Sequence, residues 1–138
     1  MIIDKFLQLS DRQTVSATAA STHEVDLGQP APNLGLNSQP LYVVITVAEA
    51  ASGAGKINFA LQHSATSGSG YTDALNGVVP ASELKAGAQV VLPMPIQHKR
   101  FIRLNYTVDG AVGNGKFSAQ IVAGLQANTP PADSPRIV

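Results

Sequence analysis

The chain has 138 residues, 44% of them apolar, and a formal net charge of zero. That length suits one domain burying roughly two thirds of its unfolded surface, and the neutral balance excludes a general attraction to nucleic acid or an anionic membrane. Cysteine is absent, which removes disulfides, thiolate catalysis and cysteine-held metals together.

Charged residues make up 13% of the chain, about half the usual share, as expected of a surface partly hidden by other subunits. The opening stretch, MIIDKFLQLSDRQ, has neither a long apolar core nor a small-residue cleavage site, so no secretory signal is expected. No apolar run has the length needed to cross a bilayer. The expectation is a protein made and used in a cytoplasm.

Residues 1–12 place Ile2, Ile3, Phe6, Leu7 and Leu9 in a stretch too short for an independent helix. It reads as an extended apolar arm or a short strand. Val15 and Ala17 then alternate with Thr14 and Ser16, and His23, Val25 and Leu27 alternate with Thr22, Glu24 and Asp26. Gly28 and the prolines at 30 and 32 interrupt the pattern. Leu41 to Ala48, LYVVITVA, is apolar on both faces, which predicts a central strand with Tyr42 and Val44 covered by a second sheet, a loop or another subunit. After a turn, Ile57, Phe59 and Leu61 form one face, and Lys56, Asn58 and Gln62 the other.

Residues 64–87 read as a long irregular stretch, Gly/Ser-rich at first, with at most a short strand or one helical turn near VVPASELKAG. A loop of that length is commonly a contact element. AQVVLP returns to strand. In Phe101 to Gly124, Ile102, Leu104, Tyr106 and Val108 oppose Arg103, Asn105 and Thr107; Phe117, Ala119 and Ile121 oppose Lys116, Ser118 and Gln120. This period of two marks strands with one buried face. With Gly110, Gly113 and Gly115 between them, the two runs predict a hairpin near the centre of a sheet. The tail from 125 holds Pro130, Pro131 and Pro135 and is expected to run extended.

Seven or eight short strands with Gly/Pro punctuation predict an all-β domain over residues 1–138, an antiparallel two-sheet β-sandwich. Jelly roll is preferred over an immunoglobulin-like fold, because the Cys and Trp marks of antibody-type domains are missing. Extended arms are expected at about 1–12 and 125–138.

Chemistry is sparse. SGAGK at 52–56 lacks the Gly six residues before the Lys and the Ser or Thr after it, having Ala50 and Ile57 there, so it reads as a turn rather than a phosphate loop. His23, His63 and His98 lie far apart in sequence, with no local metal-ligand spacing. No GxSxG elbow accompanies the serines. The sequon Asn105-Tyr106-Thr107 falls inside an expected strand. His98, Lys99, Arg100 and Arg103 form the one basic cluster. It reads as solvated strand-end charge, with an acidic partner surface as the alternative.

The segments LSDxQxVxATAxST (Leu9, Ser10, Asp11, Gln13, Val15, Ala17, Thr18, Ala19, Ser21, Thr22) and RFIRLNYTV, with PLYVVITV and LKAGAQVVLP, resemble the cement, or decoration, proteins of short-tailed double-stranded DNA phages, of the Bordetella phage type. The resemblance implies a jelly roll without enzymatic activity, cofactor or metal. It would bind the outer surface of an HK97-type capsid across capsomer junctions and stabilise the shell. Its partners would be the major capsid protein and itself, a homodimer ahead of a homotrimer, with no nucleic acid and no membrane. Its place would be the virion exterior after synthesis in the host cytoplasm. Contacts are expected from the two chain ends and the 64–87 loop: Ile2, Ile3, Phe6, Leu7, Tyr71, Arg100, Pro131, Ile137 and Val138. Two other readings are a carbohydrate- or receptor-binding jelly-roll module of a phage tail and a cupin-like metal enzyme. Zero Trp and seven aromatic residues weigh against the first, and the dispersed histidines against the second.

Overall fold

The computed structural model describes residues 4–32 and 40–125. Nine strands follow in chain order: β1 (Gln8–Val15), β2 (Ala19–Ala20), β3 (Val25–Asp26), β4 (Tyr42–Glu49), β5 (Lys56–Ser64), β6 (Thr72–Pro80), β7 (Gln89–Pro93), β8 (Phe101–Asp109) and β9 (Gly115–Val122). One sheet has the order β1-β9-β4-β7; the other has β2-β8-β5-β6, with β3 also paired to β8. All pairings are antiparallel. The fold is an antiparallel two-sheet β-sandwich.

The inward faces are those of the alternating runs. Ile57, Phe59 and Leu61 from β5, and Ile102, Leu104 and Tyr106 from β8, meet Val43, Ile45 and Val47 from β4 and Phe117, Ala119 and Ile121 from β9. Leu104 is fully buried and Ile121 nearly so. On the other face of β4, Val44 is buried as well, as an apolar central strand requires.

At the middle, Phe59 meets Tyr106 and Phe117 edge-on at centroid distances of 5.7 and 5.6 Å, while Tyr106 and Phe117 stack at 6.0 Å. Such pairs add to plain area burial. The Tyr106 hydroxyl is 2.7 Å from Ser10 Oγ. Since Ser10 donates its own proton to Gln13 Oε1 at 2.9 Å, Tyr106 is the donor. Burial pushes the Tyr106 pKa up to about 12, against the lowering effect of the Ser10 contact.

Gln13 continues this chain. Its Oε1 also accepts from Thr22 N and Thr22 Oγ1, each at 2.9 Å, and its Nε2 donates to the Ala20 carbonyl at 2.8 Å. Ser21 Oγ accepts from Leu104 N at 3.1 Å, and Thr18 Oγ1 from Val108 N at 3.0 Å. These hydroxyls bind β8 amides where the short β2 and β3 leave its edge incompletely paired. The LSDxQxVxATAxST stretch is therefore framework, stitching β1 of one sheet to the crossing into the other.

Three expectations change. The 101–124 stretch is not a hairpin: β8 and β9 are central strands of different sheets, facing each other across the core. Their alternation reported burial correctly, but burial does not choose a hydrogen-bonding partner. The connection is instead held to the 50–55 turn, with Gly55 N donating to Ala111 O at 2.9 Å and Gly113 N to Ser52 O at 2.8 Å. A Cβ on Gly55 would lie 2.7 Å from Asp109 O, so only glycine permits this approach.

The 1–12 arm is shorter than expected, since residues 8–12 belong to β1 and Leu9 is fully buried. Register shifts between Gln8 and Ser10 and between Ser10 and Gln13, with Arg12 at φ 47°, erase the alternation that would have marked the strand. The 64–87 loop is also mostly structured. Nine residues form β6, an edge strand paired along β5, and Ala81–Glu83 form a 3₁₀ turn. An edge strand is partly exposed on both faces, so Thr72–Pro80 shows no clean period. Residues 126–138 lie outside the described residues.

Two measurements check this packing. Leu104→Ala should lower stability by about 2–5 kcal/mol in denaturant unfolding; a loss under about 0.5 kcal/mol would place Leu104 on the wrong face. Ser10→Ala, which leaves the buried Tyr106 hydroxyl without its acceptor, should cost about 1–3 kcal/mol. Adding Tyr106→Phe should then cost little more, because the stranded hydroxyl is gone.

Candidate functional site

Strand directions and register sort the connections to two ends of the sandwich. Glu49, Lys56, Pro80, Gln89, Asp109 and Gly115 lie at one end, where the 50–55, 81–88 and 110–114 connections run. This end is closed by backbone contacts. Gly55 and Gly113 bind the 111 and 52 carbonyls, and Ala81 N donates to Gly55 O at 2.9 Å. SGAGK sits in this turn, which matches its reading as a strand connection.

The opposite end gathers the other strand ends. Gln8, Tyr42, Ser64, Thr72, Pro93, Phe101 and Val122 are the strand ends there. Residues 4–7, 27–32, 65–71, 94–100 and 123–125 run out from them. Phe6 is 90% exposed, Ile96 57% and Leu125 52%. The other large apolar residues that are exposed among the described ones, Val78 and Val91, lie within β6 and β7.

Phe6 is presented by a 3₁₀ turn, Lys5–Leu7, capped by Asp4 Oδ1 accepting from Phe6 N at 2.9 Å. Leu7, in the same turn, is half-buried and packs against the core. Of the two adjacent expected contact residues, one is therefore largely structural and the other stands in solvent.

Two polar clusters fix the connections around them. Glu24 accepts from Ser67 Oγ, the Tyr71 hydroxyl and, at 3.2 Å, Gly68 N. Burial pulls the Glu24 pKa up, but these donors and the Arg103 charge outweigh it and hold the carboxyl below its ordinary value. Arg103 lies 3.8 Å over the Tyr71 ring and donates Nε to Gln62 Oε1 at 2.8 Å. Burial, followed by the Glu24 hydrogen bond and charge, raises the Tyr71 pKa. Tyr71 thus has its hydroxyl and one ring face engaged within its own chain.

Arg100 grips Asp26 with both forks, Nε to Oδ1 at 2.6 Å and Nη2 to Oδ2 at 2.8 Å, and lies 5.0 Å over the Phe101 ring. The basic cluster read in the sequence is therefore divided. Arg100 is committed to Asp26 and Arg103 to Gln62 and Tyr71, while His98 is buried. Lys99 is exposed, with no ion pair among the described residues.

The fold does bring two of the three histidines together. Lys99 N donates to His63 Nδ1 at 3.4 Å, and His98 is the next residue back. Among the described residues no three His, Cys, Asp or Glu side chains converge to hold a metal. Ile2, Ile3, Pro131, Ile137 and Val138 lie outside the described residues. Sequence reading missed Glu24, Ile96 and Leu125. Ile96 carried a signal, an isolated large apolar residue just after Pro93 and Pro95, where chain ends a strand and cannot rejoin a core.

An all-β sandwich that closes one end with glycine backbone and exposes apolar and basic side chains at the other is the class of protein defined here. The matching family model is Bbp16, a Bordetella phage protein family, over residues 9–121. That span runs from the first core residue of β1 into the end of β9, and the chain belongs to this family. No curated protein matches it.

The Asp26–Arg100 pair gives a pH test. The Arg100 hydrogen bonds, then the Gly28 N–H, hold the Asp26 pKa at about 2. A depressed carboxylate stabilises the fold fully above its unfolded pKa, about 3.9, and that contribution is lost as pH falls through about 2. Side-chain NMR titration should find this low midpoint, and Arg100→Gln should return Asp26 toward the ordinary aspartate range.

Proposed function

We propose that this chain is a capsid cement protein: it binds the outer surface of an HK97-type phage shell across capsomer junctions, and the end carrying Phe6, Ile96 and Leu125 makes the contact. The observation that carries this is that those three exposed apolar residues stand at one end of the sandwich, where both described chain ends and the 65–71 turn also emerge. A lone sandwich domain gains nothing from solvating a phenylalanine at 90% exposure. A partner that covers it does.

Three further features support the reading. The Bbp16 family is phage-derived, which suits a virion component. The strand order, β1-β9-β4-β7 over β2/β3-β8-β5-β6, supports a jelly-roll reading, with most connections crossing between the sheets and β5 and β6 paired within one. The sheets spend their inward faces on the core, so the contact falls to the loops and chain ends. The protein acts as a structural binder without enzymatic activity or cofactor. It assembles as a homodimer, and modest contacts per copy add by avidity over the shell.

The test is a double substitution, Phe6→Ser with Ile96→Ser, assayed on purified undecorated capsids. Both sites are exposed, so thermal unfolding should hardly move. Burial of each side chain contributes about 1.5–3 kcal/mol, so binding should weaken by tenfold or more. Unchanged binding would reject this end as the capsid-facing surface.

A further inference from the structure

At the same end, the segment after β7, the tip of β5 and the 30–31 stretch line an open hollow of about 410 Å³, formed by Pro30, Ala31, His63, Gln97, His98 and Lys99. Its charges have one sign. Lys99 is exposed with no ion pair among the described residues, and two carboxylates of the neighbouring segments are already committed. Asp26 holds Arg100 through both oxygens, and Glu24 holds Ser67, Gly68 and Tyr71.

One imidazole adds a donor. His98, buried, spends its Nδ1–H on the Lys99 carbonyl at 3.2 Å. His63 Nδ1 accepts from Lys99 N at 3.4 Å, so the neutral ring carries its proton on Nε2. Burial first, then the Lys99 and His98 charges, holds the His63 pKa below its ordinary value. On the flanking strands its neighbours across the sheet, Thr72 and Ile102, carry no charge. One position along, Asp73 and Arg103 are both bound to Gln62. An uncompensated ammonium beside an N–H donor matches an anion with two acceptor oxygens.

We propose that this hollow takes the carboxylate of an Asp or Glu side chain from a protein partner, with the Lys99 ammonium as charge partner and His63 as second donor. The apolar lining of Pro30 and Ala31, with exposed Ile96 next in sequence to Gln97, fits a peptide segment better than a phosphate backbone, and the zero net charge supplies no attraction to nucleic acid. The proposal rests on this end being the partner-facing surface and names the chemistry of what meets it. A bound carboxylate favours the charged form of His63, so the contact tightens as pH falls through the His63 midpoint.

The experiment is an NMR titration of His63 in the purified full chain at fixed ionic strength. The probes, in millimolar excess, are an N-acetylated, C-amidated Leu-Glu-Leu tripeptide, its Leu-Gln-Leu counterpart and inorganic phosphate. The Glu peptide should raise the His63 midpoint by about one unit at saturation, the Gln peptide should leave it unmoved, and phosphate should shift it less. Lys99→Ala should weaken half-saturation by the Glu peptide several-fold. The proposal is overturned by an unmoved midpoint, by an equal effect of the Gln peptide, by a phosphate effect as large, or by undiminished binding in Lys99→Ala. No capsid is present, so failure here leaves the cement reading standing, and failure of the Phe6 and Ile96 variant to lose capsid binding leaves this result standing.

Discussion

One buried phenolic hydroxyl constrains how the two sheets are joined. Tyr106 places its ring among Phe59 and Phe117 at the centre of the sandwich, where a hydroxyl left without a partner would cost a few kcal/mol. Ser10 supplies the acceptor. To do so β1 must carry a polar residue inward, and the bulges beside Ser10 and Gln13 let Leu9 and Ser10 both turn toward the core. Gln13 then relays the chain of hydrogen bonds to Thr22 and Ala20. The strand that begins one sheet and the segment that begins the other are thus fixed together at the same buried point.

From that anchor the two ends of the sandwich diverge. At the glycine end, connections are short and held backbone to backbone, a geometry that leaves little side-chain surface. At the other end, held by the Glu24 cluster and the Asp26–Arg100 pair, connections are bridged by side chains that tolerate more varied neighbours. Exposed pairs of this kind add little stability; what they confer is position. The asymmetry gives the domain one end with apolar and cationic groups to offer a partner.

The low charge content also acquires a physical meaning. Five cations among the described residues already have a carboxylate partner: Lys5 with Asp11, Arg12 and Lys116 with Glu49, Lys56 with Asp109, and Arg100 with Asp26. A surface so internally neutralised exerts little long-range field. On the proposed reading, recognition then falls to shape, apolar contact and the few groups left uncommitted, a mode that suits a fixed neighbour better than a diffusing polyanion.

The sequence by itself determined the strand class, the inward residues of β5, β8 and β9, and the absence of cysteine chemistry, because alternation and composition are local. It also carried the family resemblance, whose most specific motif proves to be framework. Tertiary structure alone decided that β8 and β9 face each other from separate sheets. A two-residue period specifies which side is buried and is silent on which strand lies alongside. For the same reason β1 and β6 were hidden, one by bulges that break the period and the other by its edge position. The candidate site was the least legible part. His63 and His98 are 35 residues apart yet share a hollow, while Arg100, close to His98 in sequence, is withdrawn by Asp26. Which charges stay free is settled only when distant segments meet, since pairing over a few ångströms is a property of the folded chain.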